Sequence, residues 1–219
     1  VPNMDSSRTS SSAAVMGGRL YVCGGWDEKD TSTNSVERYD PTLGAWEAAA
    51  PMGTPRDEFV AVVLFGDIVV CGGALHLASS NVHTHRSAER LQPDGIAWKP
   101  MQCMSTNRHG HVGACLGGQI YVCGGVHFSR TAERFDPTSG TWSPLPPLSV
   151  ARVFSAAACI AGRLYVCGGS TVSTPWAEVQ AKKDLLSSVE CFDPARGEWE
   201  TVEALPFIRR YGRAVSMGI

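Results

Sequence analysis

At 219 residues the chain is long enough to bury a sizeable core, and its 19 Lys plus Arg against 21 Asp plus Glu leave a net charge of -2. That balance excludes the strongly basic surface of a protein that neutralises phosphates, so nucleic acid is not an expected partner. The apolar runs are broken by Gly every few residues, far short of the ~20 needed to span a bilayer, and no basic n-region with an apolar h-region opens the sequence, so no membrane partner is expected and a soluble, cytoplasmic chain is.

Taken in chain order, the sequence repeats itself. The string Leu20-Tyr21-Val22-Cys23-Gly24-Gly25 returns as Ile68 to Gly73, Ile120 to Gly125 and Leu164 to Gly169, at a period of roughly 50 residues. Downstream of each glycine pair comes a second string: Val36-Glu37-Arg38-Tyr39-Asp40-Pro41, then Ala88-Glu89-Arg90-Leu91-Gln92-Pro93, Ala132-Glu133-Arg134-Phe135-Asp136-Pro137 and Val189-Glu190-Cys191-Phe192-Asp193-Pro194. A Trp follows each Pro by five residues, at Trp46, Trp98, Trp142 and Trp199. Upstream, Arg8, Arg56, Arg108, Arg152 and Arg210 each open an apolar stretch that runs into a glycine-pair string or towards the end of the sequence. The units are 8–52, 56–101, 108–148 and 152–205, with the start of a further one at 209–219.

Each unit holds four short apolar or aromatic runs separated by turn signals, which predicts a four-stranded antiparallel sheet. In the third unit the runs are 111–116, 119–124, 131–135 and 141–143. Between the last two, Asp136-Pro137-Thr138-Ser139-Gly140 is a tight turn in which Pro presets φ and Gly supplies the left-handed residue. The second run is apolar at nearly every position, which means that both faces of its sheet are covered. The glycine pair then marks a close approach that leaves no room for Cβ. Of the eight Cys, Cys23, Cys71, Cys123 and Cys167 each stand before a glycine pair. They are read as small apolar fillers of equivalent sites, and a reducing compartment is favoured.

These strings closely resemble those of kelch repeats, over the whole chain apart from a few residues at its start. The clear departure is Gln92-Pro93 in place of Asp-Pro. The resemblance implies an all-β kelch β-propeller with four complete four-stranded blades and the first strand of another. It also implies that the chain is part of a larger, six-bladed ring, since four blades at this period fall short of one.

Function is expected in what the repeats do not share: the loops 26–35, 74–87, 126–130 and 170–188. In kelch relatives such loops rise on one face together with the Arg-bearing approach to the first strand, and that face captures peptides. By this resemblance Arg8, Arg56, Arg108, Arg152 and Arg210 rim a pocket and favour an acidic protein or peptide through bidentate bonds. The same Arg reads equally as a repeat residue bonding backbone carbonyls of a neighbouring blade. Trp26 and Trp176, outside the repeated position, read either as partner-binding anchors or as covers for their own loops. His85, His109 and His127 are further partner-binding candidates. With His83 and His111 they match no metal-ligand spacing, and no metal or cofactor is expected.

The resemblance further implies a substrate-recognition or scaffold domain, as in ubiquitin-ligase adaptors that reach a cullin through domains outside this chain. Galactose-oxidase-like and sugar-epimerase-like kelch enzymes are the alternative. No catalytic constellation stands apart from the repeats: all five Tyr fall on repeat-pattern or first-strand positions, and no nucleophile elbow or phosphate loop is present.

Overall fold

The computed structural model describes residues 2–77, 82–126, 129–171 and 184–212. The chain divides into two compact units, Val1–His109 and Gly110–Ile219. The first holds β1 (Ser12–Met16), β2 (Arg19–Cys23), β3 (Val36–Asp40) and β4 (Ala45–Ala49), followed by β5 (Val60–Leu64), β6 (Asp67–Cys71), the short pair β7 (Ala74–His76) and β8 (Val82–Thr84), then β9 (Ala88–Leu91) and β10 (Trp98–Met101). The second holds β11 (Val112–Leu116), β12 (Gln119–Cys123), β13 (Ala132–Asp136) and β14 (Thr141–Leu145), then β15 (Ala156–Ile160), β16 (Arg163–Cys167), β17 (Val189–Asp193) and β18 (Glu198–Val202). Four sheets of four strands result, ordered β1-β2-β3-β4, β5-β6-β9-β10, β11-β12-β13-β14 and β15-β16-β17-β18, every neighbour antiparallel. The β7–β8 hairpin lies within a loop, 74–87, for which no regular structure was expected.

Within each unit the two sheets pack face to face, β1 against β5 and β6 in the first, β11 against β15 and β16 in the second. The core between them explains the apolar second strands. Tyr21, Cys23, Ile68 and Val70 meet Val36, Met52 and Phe59 in one unit, and Tyr121, Cys123, Leu164 and Val166 meet Leu148 and Phe192 in the other. Cys23 and Cys71 are fully buried and Cys123 nearly so, as small fillers should be, whereas Cys167 is only half-buried. None of the eight cysteines is joined in a disulfide, and burial pushes the Cys23 thiol up to about 12.

The repeated Trp closes the outer part of the gap. Trp98 donates its indole N–H to the Ala50 carbonyl of the preceding sheet at 2.8 Å, and Trp199 does the same to Pro146 at 2.9 Å. The ring is steadied by the aromatic of the third strand, 5.1 Å between Phe192 and Trp199 and 5.3 Å between Tyr39 and Trp46. In the second sheet the aromatic is replaced by Leu91, which is fully buried.

Gly24, Gly72, Gly124 and Gly168 occupy equivalent points. Each donates its N–H to the carbonyl just before the third strand, on Ser35, Ser87, Thr131 and Ser188 respectively. A Cβ on Gly168 would stand 2.6 Å from the Arg209 carbonyl, and one on Gly25 would stand 2.5 Å from that of Thr9. Both residues have positive φ, so no other side chain fits the space or the backbone.

Candidate functional site

The repeated Arg approaches its own sheet from the end at which the glycine pair lies. The Arg56 side chain crosses the pair and reaches Glu89 on β9: Nη2 donates to Oε1 at 2.7 Å and Nε at 3.3 Å, Nη1 donates to the carbonyls of Gly72 and Ser87 at 2.6 and 3.1 Å, and Nη2 donates to Ser87 Oγ at 2.8 Å. All five guanidinium N–H groups are thereby used. Arg152 bonds Glu190 through Nε, the carbonyls of Gly168 and Ser188 through Nη1 and Ser188 Oγ through Nη2, and Arg8 bonds Glu37, Gly24 and Ser35. The second oxygen of each Glu takes a backbone N–H three residues before the Arg, from Asp5, Gly53 and Ser149.

This corrects the expectation that these Arg rim a ligand pocket. Arg56, Arg108 and Arg152 are at most 2% exposed, and the Arg8 side chain is 1% exposed. For Arg8, Arg56 and Arg152 the acceptors are a Glu and carbonyls of the same blade, not of a neighbouring one. The preference for an acidic ligand that five free guanidiniums would create therefore loses its basis. Arg210 is corrected too. Gly169 donates to the Arg209 carbonyl and Arg209 donates to Leu186, the pattern that Gly25, Arg56 and Thr33 make. Arg209 thus holds the repeated position. Arg210 is the residue after it, with its guanidinium carbon 4.8 Å from the Phe154 ring centre and 4.9 Å from that of Tyr211.

The place immediately after the repeated Arg is where the repeats diverge: Thr9, Asp57, His109, Val153 and Arg210. Thr9, Asp57 and Val153 exchange two backbone hydrogen bonds with the residue that follows the glycine pair, Trp26, Ala74 and Ser170 respectively. A rigid ladder therefore presents a variable side chain beside a variable loop. Neither the sequence period nor composition drew attention to this place; divergence next to an otherwise constant residue is the signal that marks it.

In the first unit this ladder builds a polar and aromatic cluster. Asp57 is fully buried. Its Oδ2 accepts from Ser32 Oγ and from His76 Nδ1, the latter at 2.9 Å. Its Oδ1 has no hydrogen-bond partner. Ser32, in the loop after β2, also takes the His76 N–H at 2.7 Å and gives its own N–H to the His76 carbonyl at 3.1 Å, so that loop is tied to the β7–β8 hairpin. The Trp26 ring lies 4.6 Å from His76, tilted by 56°, and its buried indole N–H has no partner. The His109 ring lies 6.4 Å from that of His76 and nearly parallel to it. Burial, and then the Arg56 charge, hold the His85 imidazole below its ordinary value, and its Nε2 is buried without a partner.

Of the sequence candidates, Trp26, His85 and His109 thus belong to the first unit, with the Trp26 and His109 rings both against His76. Ser32, Asp57 and His76 were missed because they match no motif. His127 and Trp176 lie outside the described residues. Among the described residues, no three or more His, Cys, Asp or Glu stand together as a metal site, and no helix is long and apolar enough to cross a membrane. Nor is the cluster a nucleophile and base pair. Ser32 and His76 both turn their side chains to the same carboxylate oxygen, whereas catalysis of that kind needs the hydroxyl against the imidazole.

A family model described as the Kelch motif matches residues 7–53, 107–149 and 151–206, more than half of the chain. The chain belongs to the kelch-repeat family. Residues 54–106 fall outside those matches, yet they carry the same sheet order and the same Arg–Glu pair. The chain is 32% identical over 111 residues to human Kelch-like protein 33, covering 50% of this chain and 20% of that protein. It is also 32% identical over 109 residues to an F-box/kelch-repeat protein of Arabidopsis thaliana, covering 50% and 23%. With the mouse Influenza virus NS1A-binding protein homolog it shares 38% over 71 residues, 32% of this chain and 11% of that protein. The kelch chain thus spans about a quarter or less of the length of these relatives. Among solved structures, "Structure of YjhT" superposes with a TM-score of 0.79 at 17% identity, over 95% of this chain and 74% of that one, a likeness of fold that makes this kelch chain an all-β propeller.

Proposed function

We propose that this kelch chain is a protein-interaction module that holds a partner protein or peptide on the loop end of its first unit, with Trp26 and His76 as the contact. The observation that carries this reading is the Asp57–His76–Trp26 cluster. It lies off the repeated positions, is built on a rigid ladder, and contains buried polar atoms that the chain itself leaves unbonded. Partly exposed aromatic rings backed by a fixed polar group are what a protein hot spot uses. The names of the relatives, Kelch-like and F-box/kelch-repeat, support an interaction role and extend the reading to substrate recognition or scaffolding for a ubiquitin ligase, reached through domains other than this one. Eight cysteines without a disulfide among them support a reducing compartment such as the cytoplasm. The ring we propose has more blades than the four described, six by the family resemblance.

The test is capture of a partner on the immobilised chain, followed by reconstitution with the purified partner. Trp26→Ala and His76→Ala should each weaken the reconstituted complex by roughly tenfold or more while the circular dichroism spectrum stays as it was. A complex indifferent to both changes would remove the first unit as the contact, and turnover of a small sugar by the chain alone would replace the interaction reading with an enzymatic one.

A further inference from the structure

The charge left over after the internal pairs are made differs from what the Arg count suggests. In the first unit Arg8 and Arg56 are matched one for one by Glu37 and Glu89. Asp57 is not matched in this way: its side-chain partners are the Ser32 hydroxyl and the His76 imidazole, although it is as deeply buried as the glutamates that hold an Arg. The loop that carries Trp26 adds Asp27, Glu28 and Asp30 against Lys29, and the Thr31 N–H, ahead of other donors, holds the Asp27 carboxyl below the usual range. Arg86, beside the hairpin, is an opposing cation. Acid exceeds base at this end of the unit.

The hydrogen bonds give this excess a direction. Oδ2 of Asp57 accepts from Ser32 and faces Nδ1 of His76, which places an imidazole proton on Nδ1, so that in the uncharged form of the ring Nε2 is the acceptor, backed by a carboxylate. The His76 side chain is 20% exposed. Trp26, tilted across it at 4.6 Å, makes an aromatic corner. A negative group behind, an acceptor lone pair in front and a π face to the side together suit a cation that also donates hydrogen bonds.

Resting on the interaction reading above, we infer that Trp26, His76 and Asp57 form a seat for a basic side chain, a lysine ammonium or an arginine guanidinium, presented by the partner. A polypeptide also brings what an isolated cation lacks. Its neighbouring side chains can pack against the Trp26 ring, which is partly exposed. The partner chosen is thus basic, opposite to the acidic one that unpaired Arg residues would select.

The test compares four pools of randomised nonapeptides, fixed at the centre as Lys, Arg, Glu or phosphoserine, by fluorescence polarisation on the whole chain. The Lys or Arg pool should bind roughly tenfold tighter than the other two, the worth of one charge-assisted hydrogen bond. Asp57→Asn should bring the pools to parity. Because Asp57 is buried and its change can unfold the unit, Glu28→Gln combined with Asp30→Asn is measured beside it. These two surface changes leave the buried bonds alone and should reduce the preference by weakening the surrounding field. Preference for the Glu or phosphoserine pool, a folded Asp57→Asn chain that keeps the basic preference, or a surface double variant that leaves it unchanged overturns the seat while leaving the interaction module standing. If no pool binds, the seat is again overturned, and the module is then judged by the Trp26→Ala complex with its purified partner.

Discussion

The Arg56 guanidinium stands 2.7 Å from the Glu89 carboxylate, within the blade to which both belong. The backbone of the same Arg faces the other way: its carbonyl accepts the Gly25 N–H of the preceding sheet at 2.8 Å. One residue thus binds its own blade by side chain and its neighbour by main chain. That accounts for the Arg and the glycine pair recurring together, because the carbonyl can approach so closely only where the facing residue has no Cβ.

Changing Arg56 to Ala would leave Glu89 charged and buried and would strip the Gly72 and Ser87 carbonyls of their donor. Breaking such a pair from one side costs about 3–5 kcal/mol. Urea unfolding should show a loss of that size, and Arg56→Lys, which keeps the charge but not the fork, should recover only part of it. A stability within about 0.5 kcal/mol of the parent chain would mean that the guanidinium is free for a ligand after all.

Two glycines with nearly the same φ separate conformational strain from crowding. Gly44 has φ 64 and nothing within 4 Å of where a methyl would stand, whereas Gly168 has φ 63 and the Arg209 carbonyl at 2.6 Å. Ala at position 44 should cost only the left-handed penalty of about 1–2 kcal/mol. At position 168 the overpacking should add a further ~1–3 kcal/mol. Equal losses in thermal unfolding would show that the sheets are not held at this distance.

Acid should weaken the fold in two stages. His85 is held below its ordinary value of 6.5 by burial and then by Arg56, so the unfolded chain takes up its proton first and stability begins to fall as pH drops through that value. Asp40 is held well below the carboxylate range by the Thr42 hydroxyl and by Arg19. Burial alone would push Glu37 up, but the Arg8 bonds and the Asp5 N–H outweigh it and hold it below its ordinary value. Both contributions are present above the unfolded carboxylate pKa near 4 and are lost as pH falls through the lower folded values. Urea midpoints between pH 8 and 3 check this, and His85→Gln should remove part of the first stage while sparing the second. An unchanged first stage in that variant would assign it to other histidines.

Much of the fold is written along the chain in short, local signals. The period, the four runs per unit, the Asp-Pro turn and the offset Trp are all contained within about fifty residues, where strand pattern and turn chemistry act between neighbours. That the 74–87 loop forms a hairpin was not legible, since its strands are three residues each and carry little pattern. The repeated Arg illustrates the boundary well. Its recurrence is plain, but with Arg209 and Arg210 adjacent the sequence cannot say which one holds the repeated place, and the hydrogen bonds to Gly169 and Leu186 decide for Arg209.

What the sequence by itself determined is therefore the kelch repeat, the four-stranded sheet and the residues that recur in it, because those follow from spacing along one strand and the next. Whether a recurring Arg faces a ligand or a glutamate, and whether Asp57, His76 and Trp26 meet, only the tertiary structure decided. A charge is free or spent according to what stands within a few ångströms of it, and here those neighbours come from separate loops that no local pattern connects.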